Sequence, residues 1–215
     1  MPFYIVVIFI SCFTGFLCIS IKENRLPPLT FFPFFLLLTA LIEYYGWRQS
    51  LKNHNTILLY NFFSLFEFIF YLFFFTYLFN SPVIKKILLL VIVLYFTLTI
   101  INIFFLQGIN TFHTYTYILG CMLVVVFSIV YFYLLFRFPE TGKLIKNPFF
   151  WIVTGLMFFH TCSFSYMGLQ NFITETMQQY NWVLFFVQDI LNVLLYTLFS
   201  IGFLCKINFR KLSGL

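Results

Sequence analysis

Seven apolar runs, each close to twenty residues long, follow one another along this 215-residue chain, and that succession limits its fold more than any other feature. A hydrocarbon core about 30 Å thick is crossed by roughly 20 residues of helix, at about 1.5 Å of rise per residue. The runs cover residues 3–20, 29–46, 56–79, 87–106, 115–138, 149–170 and 182–205. Inside lipid a chain must pair its own backbone polar groups, and the runs lack the alternation of barrel strands, so each is expected to be a helix. The expected fold class is therefore all-α: a polytopic membrane protein forming a single domain of about seven transmembrane helices over residues 1–215. Pro27, Pro28, Pro82, Gly108, Pro139, Gly142 and Pro148 punctuate the connectors, which are too short for a soluble domain.

Composition agrees with a chain solvated by lipid. Only 8% of residues are charged, 62% are hydrophobic, and the mean hydropathy is +1.00, far from the quarter or so of charged residues usual in soluble domains. The 36 Phe residues are read as lipid-facing and packing groups rather than as an aromatic ligand cage. Five cysteines, Cys12, Cys18, Cys121, Cys162 and Cys205, lie in or beside apolar runs without C-x-x-C spacing, so neither a disulfide framework nor a thiolate metal site is expected. Residues 3–20 lack a preceding basic segment and a small-x-small cleavage site, and are read as the first span rather than a signal peptide.

The formal charge of +6 does not point to nucleic acid, because the cations sit in connectors and not on a soluble face. They orient the bundle instead. With the N-terminus outside, the inner segments hold Lys22, Arg25, Lys85, Lys86, Arg137, Lys143, Lys146, Lys206, Arg210 and Lys211, and only Arg48 and Lys52 fall outside. Ten against two fits the rule that cytoplasmic loops collect Lys and Arg, which gives N-out, C-in in a bacterial inner membrane. The second and sixth spans also share a register: Pro33 opens PFFLLLTALIEYY and Pro148 opens PFFWIVTGLMFFH. If that match is a repeat, spans 1–3 and 5–7 are parallel copies joined by a linker helix, a 3+1+3 arrangement used by some transporters.

Polar residues inside spans are few, and an ionisable one there is a functional hypothesis by default. Glu43 lies near the outer end of span 2. Span 3 carries Asn61, Ser64, Glu67 and Tyr71 on one helical stripe; span 4 carries Thr97, Thr99 and Asn102; span 6 carries His160, Ser163 and Tyr166; span 7 carries Gln188, Asp189, Asn192 and Tyr196. With the topology imposed, these fall at mid-depth or in the outer half, whereas the inner halves read LTFFPFFLLL, LFFFTYLF, ILLLVIVL and FFWIV. An outward-facing polar pocket over a hydrophobic floor is expected, with Trp47 and Trp182 near its rim. Its candidate lining is Glu43, Asn61, Ser64, Glu67, Asn102, His160, Ser163, Gln188, Asp189 and Asn192, with Glu67, His160 and Asp189 as the residues on which a function would turn.

Plainer readings stand beside these. Asn61, Ser64, Ser163 and Asn192 are of the type that hydrogen-bonds one helix to another, and Glu43 can reach up to the outer interface. His160 is the one titratable base on a span near Glu67 and Asp189, because His54 and His113 fall in loops read as lying at the outer surface. No HxxxH or HExxH pattern supplies the three ligands that zinc hydrolysis wants, and the seventh span has no Lys for a retinal Schiff base. No catalytic residue, metal or cofactor is therefore expected.

The leading functional expectation is a sensor or accessory subunit whose outer pocket binds a small ligand and whose helices pass the change to a protein partner. A small transporter built from the parallel repeat is the second reading, and an intramembrane hydrolase using His160 with Glu67 and Asp189 the third. The stretches LIEYYGWRQSLKNHNTILLYNFFSLFEFIFYLFFF, NPFFWIVTGLMF and QDILNVLLYTLFSIGFLCK resemble uncharacterised seven-helix integral membrane proteins of Bacteroidota, some of them encoded beside sensor histidine kinases. The resemblance implies a histidine kinase as the partner, beside membrane lipid, and carries no active-site residues with it.

Overall fold

A computed structural model describes residues 1–20, 27–137, 144–176 and 181–206, except for the side chains of 168–176, 181–185 and 206. Among the described residues there are seven helices long and apolar enough to cross a membrane, and no strand. They are α1 (Phe3–Ser20), α2 (Pro27–Ser50), α3 (Ile57–Leu78), α4 (Pro82–Ile101), α5 (Thr114–Arg137), α6 (Pro148–Thr176) and α7 (Asn181–Lys206). Lys22, Arg25, Pro139, Gly142, Lys143, Arg210 and Lys211 lie outside the described residues, as do the side chains of Trp182, Glu175 and Lys206.

Prolines decide where three of the helices begin. Pro27, Pro82 and Pro148 each open a helix at its first position, where the missing N–H would have had no partner and the fixed φ is already helical. α4 therefore starts at Pro82 instead of residue 87, and α2 starts at Pro27 instead of residue 29. At the head of α6 the Asn147 side chain accepts the Phe149 N–H at 2.9 Å, a standard helix cap. Pro33 sits inside α2, one turn and a half beyond its start, whereas Pro148 is the first residue of α6. The matched sequence PFF thus occupies different places in the two helices.

The neighbours of each helix define a closed ring in the order α1, α2, α3, α5, α6, α7 and back to α1, with α4 packed outside against α3 and α5. α4 accordingly presents Ile87, Leu90, Val93 and Leu94 outward, a face that only hydrocarbon or another apolar helix can cover. Small residues bring helices close. A Cβ on Gly120 of α5 would lie 2.7 Å from the Phe68 ring of α3, and one on Gly15 of α1 would lie 2.8 Å from Pro33 of α2.

The core of one half of the bundle is a joint of aromatic rings. Phe32 of α2 makes edge contacts, at 5.0–6.0 Å between centroids, with Phe70 and Phe74 of α3 and Phe199 and Phe203 of α7. Rings in this edge-to-face arrangement add about 0.5–1.5 kcal/mol per pair beyond the area they bury. Three helices are fastened at one level by a single side chain.

Candidate functional site

The other half of the bundle is hollow. A cavity of about 690 Å³ opens between the C-terminal half of α2, the N-terminal halves of α3 and α7, the start of α1, and the segment that joins α4 to α5. Because the helices alternate in direction, all of these belong to one end of the bundle. Thr56, Thr111 and Tyr115, the last 69% exposed, stand at its mouth. Its deepest residues include Glu67 and Tyr196. Glu67 lies ten residues into the 22-residue α3, about 15 Å along the axis, so the cavity reaches the middle of the bundle.

Six of the expected residues line it: Glu43, Ser64, Glu67, Gln188, Asp189 and Asn192. The two glutamates are held by phenols. Tyr4 donates to Glu43 Oε2 at 2.9 Å and Tyr60 donates to the same oxygen at 3.3 Å, while Tyr71, one turn below, donates to Glu67 Oε1 at 2.9 Å. Glu43 thus turns inward to the cavity instead of reaching to the interface. A carboxylate inside a bundle needs donors, and here tyrosines supply them. Among the described lining residues there are three carboxylates and neither Lys nor Arg.

The remaining four take other places. His160 is 1% exposed and lies behind the wall, its ring packed on Phe68, Tyr71 and Phe159 at 5.2–5.5 Å, with neither nitrogen hydrogen-bonded. It pairs with neither carboxylate: Tyr71 touches both, spending its hydroxyl on Glu67 and its ring on His160. Ser163 is fully buried one turn further along α6. Asn61 and Asn102 are buried and serve the segment between α4 and α5.

That segment is a constructed wall. α4 ends in a single π-helical turn, Asn102–Leu106, and Gly108 then reverses the chain at φ +84°, a conformation that favours glycine. The Asn61 side chain donates to the Thr111 carbonyl at 2.9 Å and accepts the His113 N–H at 3.1 Å. Asn102 donates to Gln107 at 2.7 Å and to Thr116 at 3.1 Å. His113 is not at the surface, in contrast to His54, which is exposed. It is 0% exposed, with Nε2 2.6 Å from Ser64 Oγ and Nδ1 2.8 Å from Thr116 Oγ1. Its place follows from those three hydroxyl and amide partners, which no hydrophobic pattern reveals. Burial pushes its pKa down to about 4, against a smaller opposing effect of the Asn61 backbone, so the ring is neutral at pH 7.

The sequence pattern named Tyr71 and Tyr196 but passed over three other tyrosines. Tyr4, Tyr60 and Tyr117 line the cavity and two of them position Glu43. The usable signal was the need of Glu43 for donors. As to metals, no group of three or more His, Cys, Asp and Glu comes together among the described residues. The chain matches no known protein family, no curated protein and no solved structure.

Proposed function

We infer that the chain is a sensor or accessory subunit of a membrane complex, oriented N-out and C-in in a bacterial inner membrane, in which the cavity receives a small ligand from outside and a partner reads the result. The observation that carries this reading is the depth at which the cavity's lining ends. Polar walls reach mid-depth and stop at Glu67 and Tyr196, and the fully buried rings of Phe32, Phe75, Phe199 and Phe203 occupy the level below. A lining that ends at mid-depth suits binding without passage. The orientation rests on the ten cations against two, and the partner, a histidine kinase, on the resemblance to the seven-helix proteins of Bacteroidota.

One observation favours a transporter as the second reading. The ring order α1, α2, α3, α5, α6, α7 with α4 outside is the neighbour pattern that two parallel three-helix units and a linker would produce. Against it stands the aromatic joint, which alternating access would have to open. An intramembrane hydrolase is the weakest reading, because His160 makes no hydrogen bond to Glu67 or Asp189.

Capture of the intact protein from its native membrane in mild detergent, followed by mass spectrometry, tests the leading reading. A stoichiometric membrane kinase or other signalling partner is the expected outcome. Recovery of the chain alone in several detergents, together with flux through reconstituted vesicles, would replace it with the transporter.

A further inference from the structure

Glu43 and Glu67 share a feature that their phenol partners impose. Both tyrosine hydroxyls at Glu43 go to Oε2, and the one at Glu67 goes to Oε1. Each carboxylate therefore has one oxygen fixed and the other left toward the cavity, and Asp189 adds a third acidic group from the facing helix α7. Fixing one oxygen by hydrogen bonds removes rotational freedom and presets the direction of the other, the usual device of a prepared binding site. No lining Lys or Arg among the described residues competes for these oxygens.

The rest of the lining bears on the body of the ligand. Phe63, Phe112, Phe159 and Met167 supply apolar surface, and Tyr117 and Tyr196 supply further rings. A volume of about 690 Å³ is within the range of sites that enclose small organic molecules and far exceeds what one metal ion fills. Carboxylate oxygens with aromatic faces beside them recognise ammonium groups by charge and by the ring quadrupole together.

Resting on the reading of the cavity as an outward binding site, we propose that its ligand is a small organic ammonium compound, with the charged head between Glu43 and Glu67 and an apolar body against Phe63, Phe112 and Phe159. An anion is refused by the three carboxylates, and a neutral isostere lacks the charge they are arranged to meet.

The test uses the full chain in right-side-out vesicles, with a cysteine placed on the wall by Asn192→Cys and another at the mouth by Thr56→Cys. Asn192 donates only to a carbonyl of its own helix, so its replacement spares the carboxylates. Each variant is treated with two membrane-impermeant thiosulfonates, one bearing trimethylammonium and one bearing sulfonate, and the reaction of the parent protein's own cysteines is subtracted. We expect the cationic reagent to label N192C at least tenfold faster than the anionic one, relative to free thiol. Millimolar 2-phenylethylammonium should slow that labelling, whereas 2-phenylethanol and an equal concentration of sodium chloride should not. Glu43→Gln with Glu67→Gln should cut the preference several-fold. Equal labelling by both reagents, or equal protection by the alcohol or by sodium, overturns the ammonium assignment while leaving an accessible cavity in place. Labelling at T56C but at neither charge at N192C shows the cavity closed, and overturns the outward binding site itself along with its ligand.

Discussion

Replacing His113 by Gln tests whether the segment between α4 and α5 is held as the structure shows. The imidazole bridges Ser64 and Thr116 and is wholly buried, so at pH 7 the variant keeps one of two side-chain hydrogen bonds and loses part of the ring's packing on Phe112. A lost hydrogen bond of this kind costs about 1 kcal/mol and the packing a similar amount, about 2 kcal/mol in all. The pH dependence is the sharper part. The folded-state pKa of about 4 lies below the ordinary histidine value of 6.5, so between those limits the unfolded chain binds a proton that the folded chain refuses. Stability is therefore present above about pH 6.5 and is lost as pH falls toward 4, by about 3 kcal/mol at the lower limit. The neighbours that fix the ring, Asn61, Ser64 and Thr116, do not titrate in this range, so the difference between wild type and His113→Gln isolates the histidine. Thermal unfolding in detergent, followed at several pH values, should show the variant less stable by about 4–8 °C at pH 7 and the two curves meeting near pH 5. Curves that stay parallel from pH 7 to pH 4 would refute the buried, neutral histidine.

Three further outcomes follow from the same geometry and a fourth from the distribution of Lys and Arg. Asn61→Ala removes two of the ties from α3 to the segment, at Thr111 and His113, and leaves the one from Ser64 to His113; it should cost about 2 kcal/mol in thermal unfolding. Gly120→Val drives a methyl group into the Phe68 ring and should destabilise by about 1–3 kcal/mol; a stable variant would show that α3 and α5 do not approach so closely. Tyr60→Phe leaves Glu43 with Tyr4 alone and should weaken ligand binding several-fold with unfolding nearly unchanged, as a calorimetric titration against wild type would reveal. A reporter joined after Leu215 should read as cytoplasmic, and a periplasmic signal would turn the cavity mouth to the other side of the membrane.

How much of this was legible in the sequence depends on which force placed each residue. Apolar length alone fixed the seven spans, because lipid penalises any other backbone arrangement, and the prolines at 27, 82 and 148 marked helix starts to within a few residues. The gathering of Glu43, Glu67 and Asp189 followed from depth along alternating helices. What could not be read was the 102–116 segment. Thr111 and the buried His113 are held by hydrogen bonds to Asn61 and Ser64 some fifty residues earlier, and such pairings leave no periodicity behind. Asn102 was legible as buried and polar but not as a tie within that wall. The depth of His160 was equally legible, yet depth did not reveal that Glu67 takes its hydrogen bond from Tyr71 while His160 meets only the ring of that tyrosine.

The cavity and the aromatic joint are built on the same helices, and this bears on how binding could be felt at a distance. Glu43, Glu67 and Asp189 stand on α2, α3 and α7, and among the described residues the rings that meet at Phe32 come from those same three helices. A ligand that draws the three carboxylates inward would tilt their helices about that joint, since close-packed rings yield less readily than the hollow half above them. The displacement would then appear below Phe32, at the end where α2 begins and α3 and α7 finish. A ligand that binds without closing the carboxylate spacing would leave that end unmoved, because only a difference in affinity between two arrangements can shift their balance. Spin labels at the start of α2 and the end of α3, read with and without an ammonium ligand, separate the two cases: a change in their distance requires the lever, and an unchanged distance leaves a partner to read the occupied cavity directly.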